Sequence, residues 1–345
     1  MSAVVLILAD CPQPPLVQGS ADGWPRLPAL EYWLARATSM SLDAADWRGW
    51  LQQRVFGTGT AERIGDASPA AVVAAAIAAR QPTSASPHEP VQHWLATPVH
   101  WVAGLDTVRL HPQGLLLLNN AEASELAADF ARVFAGSGWA LTATGGREFL
   151  LTGPVQQHCV TDDPALWCGQ CPRDGMVRGA GSKALRQLGA EIEMWLYEHV
   201  VNQRRAAAGL PTISALWLWG AGAPLPLPLP FGDVGDPGLL MCDDLYARSL
   251  WQLRGGALVS LPPGWNKRLA TSAACTVVLS WSGAHPAAVL QALEDGWLYP
   301  ATTDWRSGLV HTLSLIVGGT EYRLTRAARW RFWSRRKPWW ETLLT

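Results

Sequence analysis

Apolar residues run along this chain in two rhythms, one close to helical spacing and one alternating or continuous. Val4 to Leu8 is an unbroken, largely β-branched run followed by Asp10 and prolines, the pattern of a strand buried on both faces and parallel to its neighbours. LPALEYWLARA (27–37) sets Leu30, Trp33, Leu34 and Ala37 on one helical face, and DAADWRGWLQQRVF (43–56) continues helically. Residues 57–90 are rich in Ala, Ser, Thr and Pro; there PAAVVAAAIAAR predicts a helix opening at Pro69, and QPTSASPHEP a loop.

From His93 the rhythm shortens. HWVAGLDTVRL and GLLLLN predict two strands around an HPQG turn. NAEASELAADFARVFAGSG predicts a helix with an asparagine cap and a glycine stop, and WALTATGGREFLLTGP two strands about Gly145 and Gly146. Ser182 to Arg205 reads as one long helix with Leu185, Leu188, Ile192, Trp195 and His199 along its apolar stripe. TISALWLW is a strand closed by Gly220-Ala-Gly222. Prolines at 224, 226, 228 and 230 then remove ladder donors, predicting an extended connector. TVVLSW, LVHTLSLIV and EYRLT are further strands, the last two joined at Gly318-Gly319, and PAAVLQALEDGW is a helix.

This order implies an α/β protein, with an α+β arrangement as the alternative, built on a mixed sheet with flanking helices. Residues 1–90 form an N-terminal strand and helical segment, 91–225 a central α/β segment, 226–240 a proline-rich connector and 241–345 a C-terminal α/β segment. All of it could equally form one compact unit.

Composition narrows the function classes. Of 345 residues 49% are hydrophobic and 16% charged, so the chain folds around a sizeable core. A formal net charge of −1 argues against wholesale nucleic-acid binding but leaves room for a local basic patch. The N-terminal apolar run is too short for a secretion signal or a membrane span, and six scattered cysteines fit reduced thiols, so a cytoplasmic protein without a membrane span is expected. Twenty tryptophans against 6 Phe and 5 Tyr suit cores, interfaces and ligand-stacking walls alike.

Several segments together resemble a bacterial family described both as an RpfE-type regulatory protein and as cofactor-independent phosphoglycerate mutase. LPALEYWLARA resembles its first helix, and PVHWVAGLDTVRL with Glu122, Ala123 and Leu126 its central strand and helix. EHVVNQRRAAAGLPTISALWLWGAG resembles its most distinctive motif, and RWRFWSRR its basic aromatic end. The motif segment is also similar, more weakly, to archaeal phosphoglycerate mutases, where His199, Asn202, Arg205, Gly209, Gly220 and Gly222 match. Val200 and Ser214 stand where a Pro and an Asn are usual. The resemblance implies a phosphoglycerate-mutase-like domain, here degenerate. Those enzymes use two metals, a Ser or Thr nucleophile and about seven Asp and His ligands. Asp10 imitates the first aspartate, yet the chain has no Asp-His dipeptide and no i, i+4 histidine pair. We therefore expect no catalytic residues, no cofactor and a regulatory or partner-binding role. Mutase activity and a nucleic-acid accessory role are the alternatives.

Three residue groups carry candidate chemistry. His199, Asn202, Arg205, Gly209, Trp217, Trp219, Gly220 and Gly222 form the motif segment, read either as an anion site or as helix end, core and turn. His158, Cys159, Cys168 and Cys171 offer four zinc ligands in a non-standard spacing; Trp-Cys-Gly-x-Cys also echoes redox sites, and plain loop thiols are the bland reading. In the tail, Arg326, Arg329, Arg331, Arg335, Arg336 and Lys337 interleave with Trp330 and Trp333. This is either an interaction segment for a protein partner or nucleic acid, or a strap whose tryptophans dock on the core while its arginines stay solvated.

Overall fold

The computed structural model describes residues 2–9, 24–42, 46–57, 67–80, 90–104, 107–145, 147–156, 159–172, 175–229, 231, 235–280, 286–331 and 333–343. The chain divides into two units, Met1–Thr60 with Phe231–Thr345, and Ala61–Pro230. The first unit is thus discontinuous in sequence. Among the described residues no helix is long and apolar enough to cross a membrane.

The first unit opens with β1 (Ala3–Ala9), α1 (Pro28–Arg36), β2 (Thr38–Ser41) and α2 (Trp47–Phe56). The second unit contributes α3 (Pro69–Arg80), β3 (Val91–Val99), the small pair β4 (Trp101–Ala103) and β5 (Val108–Leu110), and α4 (Asn120–Val133). It continues with β6 (Ala140–Ala143), β7 (Phe149–Pro154), α5 (Ser182–Tyr197), α6 (Val200–Ala207) and β8 (Ala215–Gly222). The chain returns to the first unit as β9 (Leu239–Met241), α7 (Leu245–Leu253), β10 (Ala257–Val259), α8 (Lys267–Thr271) and β11 (Ala274–Ser280). After α9 (Pro286–Leu293) a π-helical turn leads into α10 (Tyr299–Ser307), then β12 (Thr312–Val317), β13 (Thr320–Leu324) and a short α11 (Trp340–Leu343).

In the first unit seven strands form one mixed sheet in the order β10-β9-β11-β1-β12-β13-β2. The apolar run of β1 lies between two parallel partners, with Leu6 opposite Val277 on one side and Leu315 on the other. Both faces of such a strand are covered, which is why its sequence is continuous rather than alternating. Antiparallel β13 and β2 finish one edge. Trp33 of α1 is fully buried and donates its indole N–H to the Tyr322 carbonyl at 3.1 Å, so the helix is hydrogen-bonded as well as packed onto the sheet. The first turn of α1 is capped by buried Glu294, which accepts from Ala29 N–H at 2.5 Å and Leu30 N–H at 3.2 Å.

In the second unit four antiparallel strands run β6-β7-β3-β8, leaving β8 at an edge. Leu216 and Leu218 join Trp94, Phe149, Leu188 and Ile192 in the core beneath α4 and α5.

The structure adds a strand, β2, between the helices expected over 27–37 and 43–56, and it departs from the sequence reading in three places. GLLLLN is not a strand; β5 pairs with β4 within the segment read as one strand, and β3 precedes both. The long helix expected from 182 to 205 breaks at Glu198 and His199. Gly220 to Gly222 continue β8 instead of ending it.

Candidate functional site

The break between α5 and α6 is made by His199 itself. Its backbone is extended (φ −67°, ψ 137°), and its Nδ1 accepts the Val201 N–H at 3.1 Å, capping α6. With Nδ1 an acceptor, the neutral ring carries its proton on Nε2, which faces Asp129 Oδ2 at 3.4 Å. Trp195 packs edge-on against the imidazole, centroids 5.0 Å apart, and donates its indole N–H to the same Asp129 oxygen at 2.9 Å. Hydrogen bonds from Trp195 and Arg132 hold the Asp129 carboxyl below its usual range. Burial pushes His199 below the ordinary imidazole value, outweighing the opposite pull of Asp129 and Glu125. The result is a neutral histidine with both nitrogens engaged.

One turn on, buried Asn202 spans the corner. Its amide donates to the Leu196 and Ile213 carbonyls, both at 2.8 Å, and its Oδ1 accepts the Ile213 N–H at 2.7 Å. The end of α5 is thereby bonded to the residues leading into β8. Arg205, only 4% exposed, donates from Nε to the Pro211 carbonyl at 2.8 Å and from one terminal nitrogen to Glu122 Oε1 at 3.0 Å. Glu122 is also half of a capping box: its other oxygen accepts the Asn119 N–H while Asn119 Oδ1 accepts the Glu122 N–H, both at 2.9 Å. Gly209 closes α6 in the left-handed region, φ +69°. Leu210 N–H then reaches back to the Arg205 carbonyl at 2.9 Å.

The tryptophan strand follows. Trp217 lies opposite Thr97 and Trp219 opposite Leu95, both on the face away from Leu216 and Leu218. Trp219 donates to Thr97 Oγ1 at 2.8 Å and Trp217 to the Asp162 carbonyl at 2.9 Å. The next pair is His93 with Gly222, so β8 carries one extra residue, a bulge with Gly220 at φ +63°. A Cβ on Gly220 would lie 3.0 Å from Pro69, and one on Gly222 would collide with Ser68 Oγ and approach Ala71 at 3.1 Å. The glycine pair therefore admits the first turn of α3, whose residues take the space over it.

Beside His199 is a cleft of about 400 Å³ lined by Glu125, Asp129, Arg132, Glu198 and His199 among others. Three carboxylates face one guanidinium there, a lining that disfavours an anionic substrate.

In the tail, Arg329 donates to the Trp305 carbonyl, and Arg331 to the carbonyls of Arg36 and Ala37, each at 3.2 Å. Arg336 sits 5.1 Å from the Tyr32 ring centre. Arg326, Arg335 and Lys337 are exposed. Trp330 and Trp333 are 75% and 67% exposed, so the expected strap is inverted there: guanidinium groups reach the helices, and these indoles stand in solvent. Arginine does this because its five donors match free carbonyls at a helix end, where an indole offers one. Trp339 docks, buried and bonded to the Pro25 carbonyl at 3.0 Å, and Trp340 packs against the same core beside it.

Cys159, Cys168 and Cys171 are half-buried, burial raising the Cys159 thiol, while His158 and Asp10 lie outside the described residues. Among the described residues no three His, Cys, Asp or Glu side chains converge as a metal site. Sequence reasoning missed Asp129 and Trp195 as partners of His199, and Arg36 and Arg306 as neighbours of the tail. The Asn119-x-x-Glu122 spacing was a readable signal for Glu122.

No protein-family profile matches the sequence, and no curated protein does. Two solved structures are similar at a low level. One is a cofactor-independent phosphoglycerate mutase from Thermoplasma acidophilum DSM 1728, with TM-score 0.38 and 11% identity over 94% of this chain and 90% of that one. The other, a protein from Pyrococcus horikoshii, has TM-score 0.45 and 10% identity over 93% and 86%. The architecture of this chain is a mixed α/β fold with a seven-stranded sheet and flanking helices.

Proposed function

We propose that this chain is a non-catalytic, partner-binding regulatory protein of the cytoplasm, a degenerate relative of the RpfE-type family its motif resembles. One observation carries the reading: the polar side chains of the motif, His199, Asn202 and Arg205, direct their hydrogen bonds to the protein's own backbone and carboxylates. A group held this way serves the corner, because presenting it to a substrate would leave buried partners unsatisfied. Function then belongs to the surface, where the tail displays cations and two indoles. The test is turnover. Purified protein with added manganese or zinc is expected to leave 3-phosphoglycerate unconverted above buffer background. Conversion to 2-phosphoglycerate that disappears in an Asp10→Ala variant contradicts the proposal and restores the mutase alternative.

A further inference from the structure

Three guanidinium groups from three separate elements converge on one phenol ring. Arg36 of α1, Arg306 of α10 and Arg336 of the tail lie 4.5, 3.9 and 5.1 Å from the ring centre of buried Tyr32. Every pair of these cations is therefore within about 10 Å, the distance over which 0.1 M salt leaves charges incompletely screened. An aromatic ring has two attractive faces, so it offsets only part of the repulsion among three cations. Arg329, bonded to the Trp305 carbonyl, and Arg331, bonded to the end of α1, extend the same face, with the Tyr32 and Trp305 rings 6.5 Å apart. Among the described residues, none of the five arginines has a carboxylate within ion-pair distance. A cluster of like charges with no described carboxylate at ion-pair distance favours an external counterion.

The same segment raises Trp330 and Trp333 into solvent between Arg329 and Arg336, with Arg335 and Lys337 adding exposed charge. We infer that this face binds single-stranded nucleic acid, phosphates on the arginines around Tyr32 and bases stacked on Trp330 and Trp333. The inference names a partner class for the surface function proposed above and rests on that reading. An acidic protein face would answer the charges and give no role to the indoles, and a duplex hides its base faces in the stack. A membrane surface calls for a continuous apolar face, whereas here exposed indoles alternate with arginines pinned to carbonyls and rings.

The experiment uses the full-length protein and fluorescein-labelled oligo-U and oligo-dT of about twelve nucleotides, a length within the range of such sites. Anisotropy is read across a potassium chloride series. Binding is expected, with log affinity falling linearly in log salt at about −0.7 per phosphate engaged. The double variant Arg306→Gln, Arg336→Gln should bind more weakly and flatten that slope by roughly 1.4, two phosphate contacts. The double variant Trp330→Ala, Trp333→Ala should lose about tenfold or more at every salt concentration with the slope kept. Should the first pair lower the melting temperature, Arg335→Gln with Lys337→Gln, both fully on the surface, repeats the slope measurement. The inference is overturned if neither oligonucleotide binds at about 50 mM salt. It is equally overturned if polyglutamate or phosphatidylserine vesicles bind as well as the oligonucleotides and the tryptophan variant changes nothing. Failure here with no mutase turnover removes this inference alone, whereas turnover removes the reading beneath it.

Discussion

Replacing Asn202 with Ala should loosen the second unit by about 3–5 kcal/mol. The side chain is 6% exposed and makes three hydrogen bonds, two as donor and one as acceptor. Truncation leaves both backbone groups of Ile213 without these partners, while the Leu196 carbonyl keeps the His199 N–H at 3.1 Å. A buried orphan costs about 1–3 kcal/mol, and water entering the small cavity recovers part of the sum. Asn202→Asp makes the argument sharper. A carboxylate keeps the acceptor for Ile213 N–H but turns an oxygen toward two carbonyl oxygens, so it should be at least as damaging at neutral pH. Its penalty should fade in acid, because the protonated form can donate again, raising the folded-state pKa above the unfolded one. Urea unfolding gives the free energy, and native-state hydrogen exchange at the Ile213 amide localises it to this corner. If both variants stay within about 1 kcal/mol of the parent, the corner is not held as described.

The close approach of β8 to α3 predicts that Gly222→Ala costs about 1–3 kcal/mol by overpacking, and that adding Ser68→Ala recovers part of it, a coupling readable in a double-mutant cycle. A neutral Gly222→Ala denies the contact. In the tail, Trp339→Ala should cost about 3–5 kcal/mol as a buried aromatic truncation, while Trp330→Ala stays within about 0.5 kcal/mol because its indole is in water. Thermal denaturation of the two variants side by side decides it, and equal losses would mean that Trp330 is docked.

How much was legible follows from what each signal depends on. The central strands β1, β11 and β12 announced themselves because strands covered on both faces must be continuously apolar, and α4 did so through its amphipathic spacing. β2 is the opposite case. Its sequence TSMS is exposed at a sheet edge, so no burial shaped it, and only pairing with β13 makes it a strand. The break at His199 was hidden because the apolar stripe continues through it. Leu196 and Val201 are both buried on either side, and the turn is set by a ring capping the next helix, which no periodicity encodes. The motif residues were visible as a set, but their roles were not. Those roles belong to Asp129, Glu122, Ile213 and Ser68, which come from other elements. Tail composition likewise showed cations and aromatics together without saying which would pack. The carbonyls at the end of α1 and the ring of Tyr32 selected the arginines.

The claim that the motif forms a brace is tested most directly at the His199 ring by nitrogen NMR of the labelled protein across pH, with and without manganese and 3-phosphoglycerate. The account predicts the tautomer protonated at Nε2, unchanged by either addition, with a midpoint below the ordinary 6.5 because burial disfavours the cation. The folded state then binds fewer protons than the unfolded one. His199's contribution to stability is therefore complete above 6.5 and is lost as pH falls through that value toward the folded midpoint. A proton on Nδ1, a midpoint above 6.5, or a resonance that moves on adding metal or phosphoglycerate would make His199 a working group and contradict the account.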